Sequence, residues 1–182
     1  MAGEANPNSR PYTGNSDGAA KGPRSGMVEF VSQATFACSA IWNNGHWGIR
    51  DKKGKPGNLS VHATGRAWDA SYRYIVDVKD SSNTRGVPNG RRDSLAFINK
   101  LVANANELGI EMIIDYWSNP KDFPYGRIWK CDRQRWQKQK PGAVAGIPGD
   151  WWHIEINPLM ADSPIAVKAA FLKVFGEIPP KA

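Results

Sequence analysis

Two short stretches of this chain, Ser60-Val61-His62-Ala63-Thr64-Gly65-Arg66-Ala67-Trp68-Asp69 and Asp150-Trp151-Trp152-His153-Ile154-Glu155, lie about eighty residues apart and hold two of its three histidines. Imidazoles and a carboxylate form a mixed nitrogen and oxygen set that suits zinc, and three protein ligands leave a fourth tetrahedral position free for water. An open position means chemistry, whereas a closed site means scaffolding. In a strand over Trp151–Ile156, His153 and Glu155 project to one face while Trp152, Ile154 and Ile156 project to the other and can pack into a core. Asp150 lies just before that strand, where a turn can bring its carboxylate beside the site without making it a ligand.

The pairing is more specific than either half. S-x-H-x(6)-D followed by acid-x-x-H toward the C-terminus resembles the zinc D-alanyl-D-alanine carboxypeptidases and the phage L-alanyl-D-glutamate endopeptidases, which share the hedgehog-like peptidase fold. Tyr125-Gly126-Arg127-Ile128-Trp129 is similar to the segment before the last motif in some phage and actinobacterial members, so the resemblance spans roughly residues 28–158. It implies His62, Asp69 and His153 as zinc ligands and Asp150 as general base, on the exposed face of an antiparallel sheet. The carboxypeptidase branch usually has Glu where this chain has Asp150, whereas phage endopeptidases can use Asp. A positive group should also stabilise the developing oxyanion. Arg50, Arg66 and Arg127 are the candidates; Arg66 can instead stabilise its loop and Arg127 can lie in a structural strand, which favours Arg50.

Each residue also has a plainer role. A lone histidine is most often a hydrogen-bonded structural residue, and His46 has no matching partner and reads as a loop histidine. Asp69 alone would be a surface or capping acid, and Asp150 after Gly149 a turn residue. Glu155 either orients a ligand or pairs with a basic neighbour. Trp68, Trp151 and Trp152 read as core and cleft wall, and Ser60 as a hydrogen-bonding support.

A chain of 182 residues with 41% hydrophobic content supports one good core. No apolar run reaches the roughly eighteen residues of a membrane span, and the opening residues lack the apolar stretch of a signal peptide. The net charge of +7 predicts attraction to an anionic surface: nucleic acid, acidic lipid or bacterial cell wall. Arg91-Arg92 and Lys138-Gln139-Lys140 sit beside turn residues and no nucleic-acid motif is present, so no nucleic-acid partner is expected. Cys38 and Cys131 form no disulfide framework; a single bridge stays open, but buried thiols are the simpler reading.

Residues 1–26 are dominated by Gly, Pro, Ser, Asn and Ala and read as a flexible tail, leaving 27–182 as the catalytic domain. Near-helical spacing of Val31, Ala34, Cys38 and Ile41 predicts a helix over 27–42, and the Gly- and Lys-rich segment 45–65 an exposed loop. Residues 67–74 read as a strand carrying Asp69. Asp93 can cap a helix with the stripe Leu95, Ile98, Leu101, Val102, Ala105 and Leu108, stopped at Gly109. Strands follow over 110–117, 126–130 and Trp151–Ile156. A last helix has Ser163 as cap, Pro164 in its first turn, the stripe Val167, Ala170, Phe171 and Val174, and Gly176 at its end. The expectation is an α+β domain, helices on one side of a small antiparallel sheet.

The reading is a zinc-dependent peptidoglycan peptidase most like a phage lysin, with L-alanyl-D-glutamate endopeptidase activity first and D,D-carboxypeptidase activity second. Such a protein would be made in the host cytoplasm and act on the wall after release, with virion association open. The rival is a noncatalytic wall-binding or virion structural protein that retains the fold.

Overall fold

Strand β8 (Trp151–Ile156) alternates as its sequence implies, with Trp152, Ile154 and Ile156 in the hydrophobic core and His153 and Glu155 on the other face. In the computed structural model, which describes residues 8–80 and 83–177, β8 is interior to a six-stranded antiparallel sheet. The order is β1 (Trp42–Asn43), β4 (Ala67–Ser71), β8, β5 (Ile110–Asp115), β6 (Arg127–Lys130) and β7 (Arg135–Lys138). A separate hairpin joins β2 (Asp51–Lys52) to β3 (Lys55–Leu59).

The helices of the described residues are α1 (Ser25–Ala37), α2 (Gly90–Ala103), α3 (Pro158–Asp162) and α4 (Pro164–Phe175), with a 3₁₀ turn at Val61–Thr64. Phe30 of α1 meets Trp68 edge-on at 6.4 Å and Phe171 of α4 at 5.2 Å. Trp152 Nε1 donates to Ser94 Oγ of α2 at 3.0 Å. The tryptophans of β4 and β8 thus anchor helices on one face, and the histidine face is left for another purpose. No helix among the described residues is long and apolar enough to cross a membrane.

Several boundaries differ from expectation for identifiable reasons. The helix predicted to residue 42 stops at Ala37, with Cys38 extended, because Trp42 and Asn43 are drawn into pairing with Ser71 and Ala70. Thr35 also donates back to the Val31 carbonyl at 2.8 Å, a bond that competes with the late helical turns. Asn89, not Asp93, occupies the N-cap of α2; Asp93 lies in the first turn, where its carboxylate faces the positive end of the helix dipole. Segment 45–65 is a loop only in part, since it holds the β2–β3 hairpin and the 3₁₀ turn. Ser163 caps α4 as expected, accepting from the Ala166 amide at 3.1 Å. Cys38 and Cys131 are both buried and free.

Over residues 8–26 the chain is not the free tail that composition implies. The first seven residues lie outside those described, but from Asn8 onward the chain is docked on the domain, and α1 already begins at Ser25. The Arg10 amide donates to the Cys131 carbonyl at 3.1 Å, and the Ala20 amide to the Ala63 carbonyl at 2.8 Å. The tail was inferred from a shortage of apolar side chains, yet this segment is held by polar ones.

Gly26 shows how tightly the helices meet: a Cβ built there would lie 1.9 Å from the Met160 carbonyl oxygen of α3. Helix propensity alone would favour Gly26→Ala by about 1 kcal/mol at most. The backbone collision should outweigh it, and we expect urea unfolding to show a net loss of about 1–3 kcal/mol. A stabilised variant would refute the close α1–α3 crossing.

Candidate metal centre

His62 is set by local backbone chemistry. Ser60 caps the 3₁₀ turn, its Oγ accepting from the His62 amide at 3.3 Å, and Gly65 takes φ +72°, a left-handed conformation that turns the chain into β4. Three residues into β4, Asp69 lies directly opposite His153 in the antiparallel register. Ser60 is therefore the expected support, and β4 and β8 deliver the acid and the second imidazole as a cross-strand pair.

Three atoms converge. His62 Nε2 lies 3.2 Å from His153 Nδ1 and 3.2 Å from Asp69 Oδ1, and His153 Nδ1 lies 3.0 Å from Asp69 Oδ1. Donors about 2.1 Å from a tetrahedral zinc stand about 3.4 Å apart, so this triangle fits one face of such a site with little adjustment. Of the described residues, only these three form a metal-capable His/Cys/Asp/Glu group. Both imidazoles are buried, whereas the Asp69 side chain is 19% exposed and the neighbouring Arg50 side chain 51%. Access is therefore from the Asp69 and Arg50 side.

The opposite edge of His153 is held from behind. Its Nε2 lies 2.9 Å from Glu155 Oε1, a carboxylate–imidazole contact that leaves Nδ1 as the inward-facing nitrogen. Of the two roles weighed for Glu155, orientation of a ligand is the one the geometry supports. Burial works against charge on His153, but hydrogen bonds to Asp69 and Glu155 outweigh it and lift the pKa to about 9. Burial pushes His62 the other way, below its ordinary value, despite its contact with Asp69. Burial alone would raise Asp69, yet the two imidazoles hold it well below the usual carboxylate range.

Of the oxyanion candidates, Arg50 is beside the cluster, its Nη2 3.7 Å from Asp69 Oδ2. Arg66 is fully buried and committed to Glu111 at 3.1 Å and Asp17 at 2.9 Å. Arg127 pairs with Asp115 at 3.0 Å and lies over the Phe123 and Trp136 rings. Asp150 is not brought into the cluster. Its carboxylate accepts from Arg73 Nε at 2.5 Å and Nη2 at 2.9 Å, in the wall of a cleft of about 420 Å³ with Trp117, Gly149 and Trp151. His46 bonds Asn43 as a loop histidine. Trp68 and Trp152 are core, and Trp151 packs on Tyr116 at 4.7 Å as cleft wall.

Sequence reasoning missed Tyr12, Asp17 and Glu111, which form the polar backing of the site. Glu111 carried a signal: an acid within the apolar run of β5, next to Ile110 and close to Ile113 and Ile114, needs a buried cation. Tyr12 carried none. No family model, curated protein or solved structure matches the chain.

Replacing His62 or His153 by Ala should abolish zinc retention, read by elemental analysis; full occupancy in either variant would remove it from the ligand set. A second expectation follows from protonation. Because the His153 pKa is raised above its ordinary 6.5 to about 9, its ionic contribution to the metal-free fold is complete below pH 6.5 and lost as pH rises through about 9. Zinc must displace the Nδ1 proton, so binding at pH 7 should release about one proton per metal and weaken as pH falls. Calorimetry in buffers of different ionisation enthalpy measures this, and a buffer-independent enthalpy would contradict it.

Proposed function

We propose that the protein is a zinc-dependent peptidoglycan peptidase that hydrolyses an amide bond of the peptide stem, most like the phage endolysins its two motifs resemble. The observation that supports it most is the convergence of His62 Nε2, Asp69 Oδ1 and His153 Nδ1 from separate segments of the chain, with Arg50 alongside. A closed four-ligand set would point to scaffolding; three donors with a cation at the accessible edge favour catalysis.

Bound there, zinc would supply Lewis acidity toward the scissile carbonyl and lower the pKa of a water toward 7. The protein's own groups have distinct tasks. Arg50 is half-exposed and close enough to turn its guanidinium toward an oxygen gaining negative charge. Asp150 accepts the water's proton and returns it to the leaving amine. To do so its carboxylate must leave Arg73. Exposed ion pairs are worth about 1 kcal/mol or less, so this exchange is a small cost beside the gain from general-base catalysis. Arg73, once free, can hold a carboxylate of the stem peptide in the cleft that Trp117 and Trp151 wall.

The net charge of +7 suits a target rich in carboxylates and anionic polymers. Among stem bonds we choose L-alanyl-D-glutamate, the bond cut by the phage endopeptidases with an Asp at the position of Asp150.

Purified peptidoglycan treated with zinc-loaded protein should yield new alanine carboxyl and glutamate amino termini by mass spectrometry. Release of terminal D-alanine would instead identify a D,D-carboxypeptidase, and intact peptidoglycan would favour a wall-binding or virion structural protein. Asp150→Asn should keep zinc and the fold while turnover falls about a hundredfold or more. Parent-level turnover in that variant would assign the base elsewhere.

A further inference from the structure

Behind the three candidate ligands, a buried polar network runs directly into the docked N-terminal segment. Glu155 is 1% exposed and uses both of its oxygens: Oε1 meets His153 Nε2 at 2.9 Å, and Oε2 accepts from Tyr12 Oη at 2.7 Å. The next residues of the segment serve the adjoining buried charges. Thr13 Oγ1 donates to Glu111 at 2.6 Å, the Gly14 carbonyl accepts from Arg66 Nη2, and Asp17 pairs with Arg66 Nε at 2.9 Å. Arg66 in turn donates to Glu111 at 3.1 Å and to the Ile156 carbonyl at 2.8 Å, which closes the network onto β8.

We propose that residues 8–18 form a positioning strap of the metal centre, in which Tyr12, acting through Glu155, fixes the orientation of His153 and couples docking of the strap to metal binding. The inference rests on the reading of His62, Asp69 and His153 as a zinc site, and not on any particular substrate. Tyr12 hydrogen-bonds Glu155, which is not itself a candidate ligand. Among the described residues the Tyr12 hydroxyl is the hydrogen-bond donor to Glu155 Oε2, so removing it leaves a buried carboxylate oxygen unsatisfied beside His153. The carboxylate relieves that state by turning toward another donor, which loosens its hold on His153 Nε2, the contact that presents Nδ1 inward. Linkage is reciprocal: if the strap raises zinc affinity, zinc must strengthen strap docking by the same factor.

The test uses zinc alone as probe, with the full chain. Tyr12→Phe keeps the ring that packs beneath Lys130 Nζ and removes only the hydroxyl. We expect its zinc Kd, measured by competition with a chromophoric chelator, to rise about 10–100-fold, the usual effect of losing a partner that orients a metal-bound histidine. Amide exchange over residues 10–18 should slow on zinc binding in the parent, and less so in the variant. A merely structural strap would change unfolding in both metal states and leave the Kd where it was. An unchanged Kd in folded Tyr12→Phe, or zinc-independent exchange of the strap in the parent, would overturn the coupling. A parent that binds no zinc would overturn the zinc site itself, and the coupling with it. The exchange measurement needs no variant, so poor folding of Tyr12→Phe would not block the test.

Discussion

The pairing of β4 with β8 sets Asp69 across from His153 and Trp68 across from Ile154, and the remaining parts of the fold depend on that register. A slip of one residue would exchange the two faces of a strand, sending tryptophan toward the acids and a carboxylate toward Phe30. Apolar burial therefore enforces the register that the polar face needs. Trp68, Trp152 and Ile154 are all fully buried against the helices, and large apolar side chains contribute about 1.5–3 kcal/mol each on burial. Such a register is not easily shifted by repulsion or desolvation among the groups opposite. The hydrophobic face pins the positions of Asp69 and His153, and the 3₁₀ turn, stopped by Gly65, adds His62 from above.

The polar face has the harder electrostatic problem, because Glu111, Glu155, Arg66 and His153 are all buried there. Isolated buried charges are prohibitive, so each must be paired and its remaining polar atoms satisfied. Arg66 meets Glu111 and Asp17, while Glu155 meets His153 and Tyr12. This arrangement explains why residues with hardly any apolar side chains are nevertheless docked. Their contribution is hydrogen bonds to groups that could not otherwise stay buried, and removing a partner from such a group costs more than forming an exposed pair would gain.

Legibility in the sequence followed the same division. Period-two alternation located β8 to the residue because a strand converts spacing into facing, whereas the set His62, Asp69 and His153 was implied by the resemblance of the two motifs. The helix of Ser163, Pro164 and Gly176 was readable because its caps are local chemistry. By contrast, β1 and β2 are two residues each and β7 is four, too short to show a period; β1 is also held by β4, distant in sequence, whereas β2 and β7 pair with the neighbouring β3 and β6. The strap escaped for a different reason: composition measures what a segment can bury of its own, and says nothing of donors it delivers to charges elsewhere. Arg66 was weighed as a catalytic cation or a loop support without its partners in view, and Glu111 was the clue that a buried cation was needed.

The site is consequently rigid on one side and adjustable on the other. His62, His153 and Glu155 are buried and anchored to strands or a capped turn, the condition for presenting metal donors in a fixed geometry. Arg50 and the Arg73–Asp150 pair sit at the solvent-facing margin, the two arginines exposed and Asp150 half-buried. Groups that meet a substrate, exchange an ion pair or follow developing charge benefit from that freedom, whereas groups that hold a metal lose affinity by it. Asp150 being paired with Arg73, and not drawn toward the ligands, accords with this division. A carboxylate permanently packed among Asp69 and Glu155 would add a third negative group to a confined space, where like charges resist ionisation together. Held at the margin by an exposed arginine, it adds nothing to the buried set.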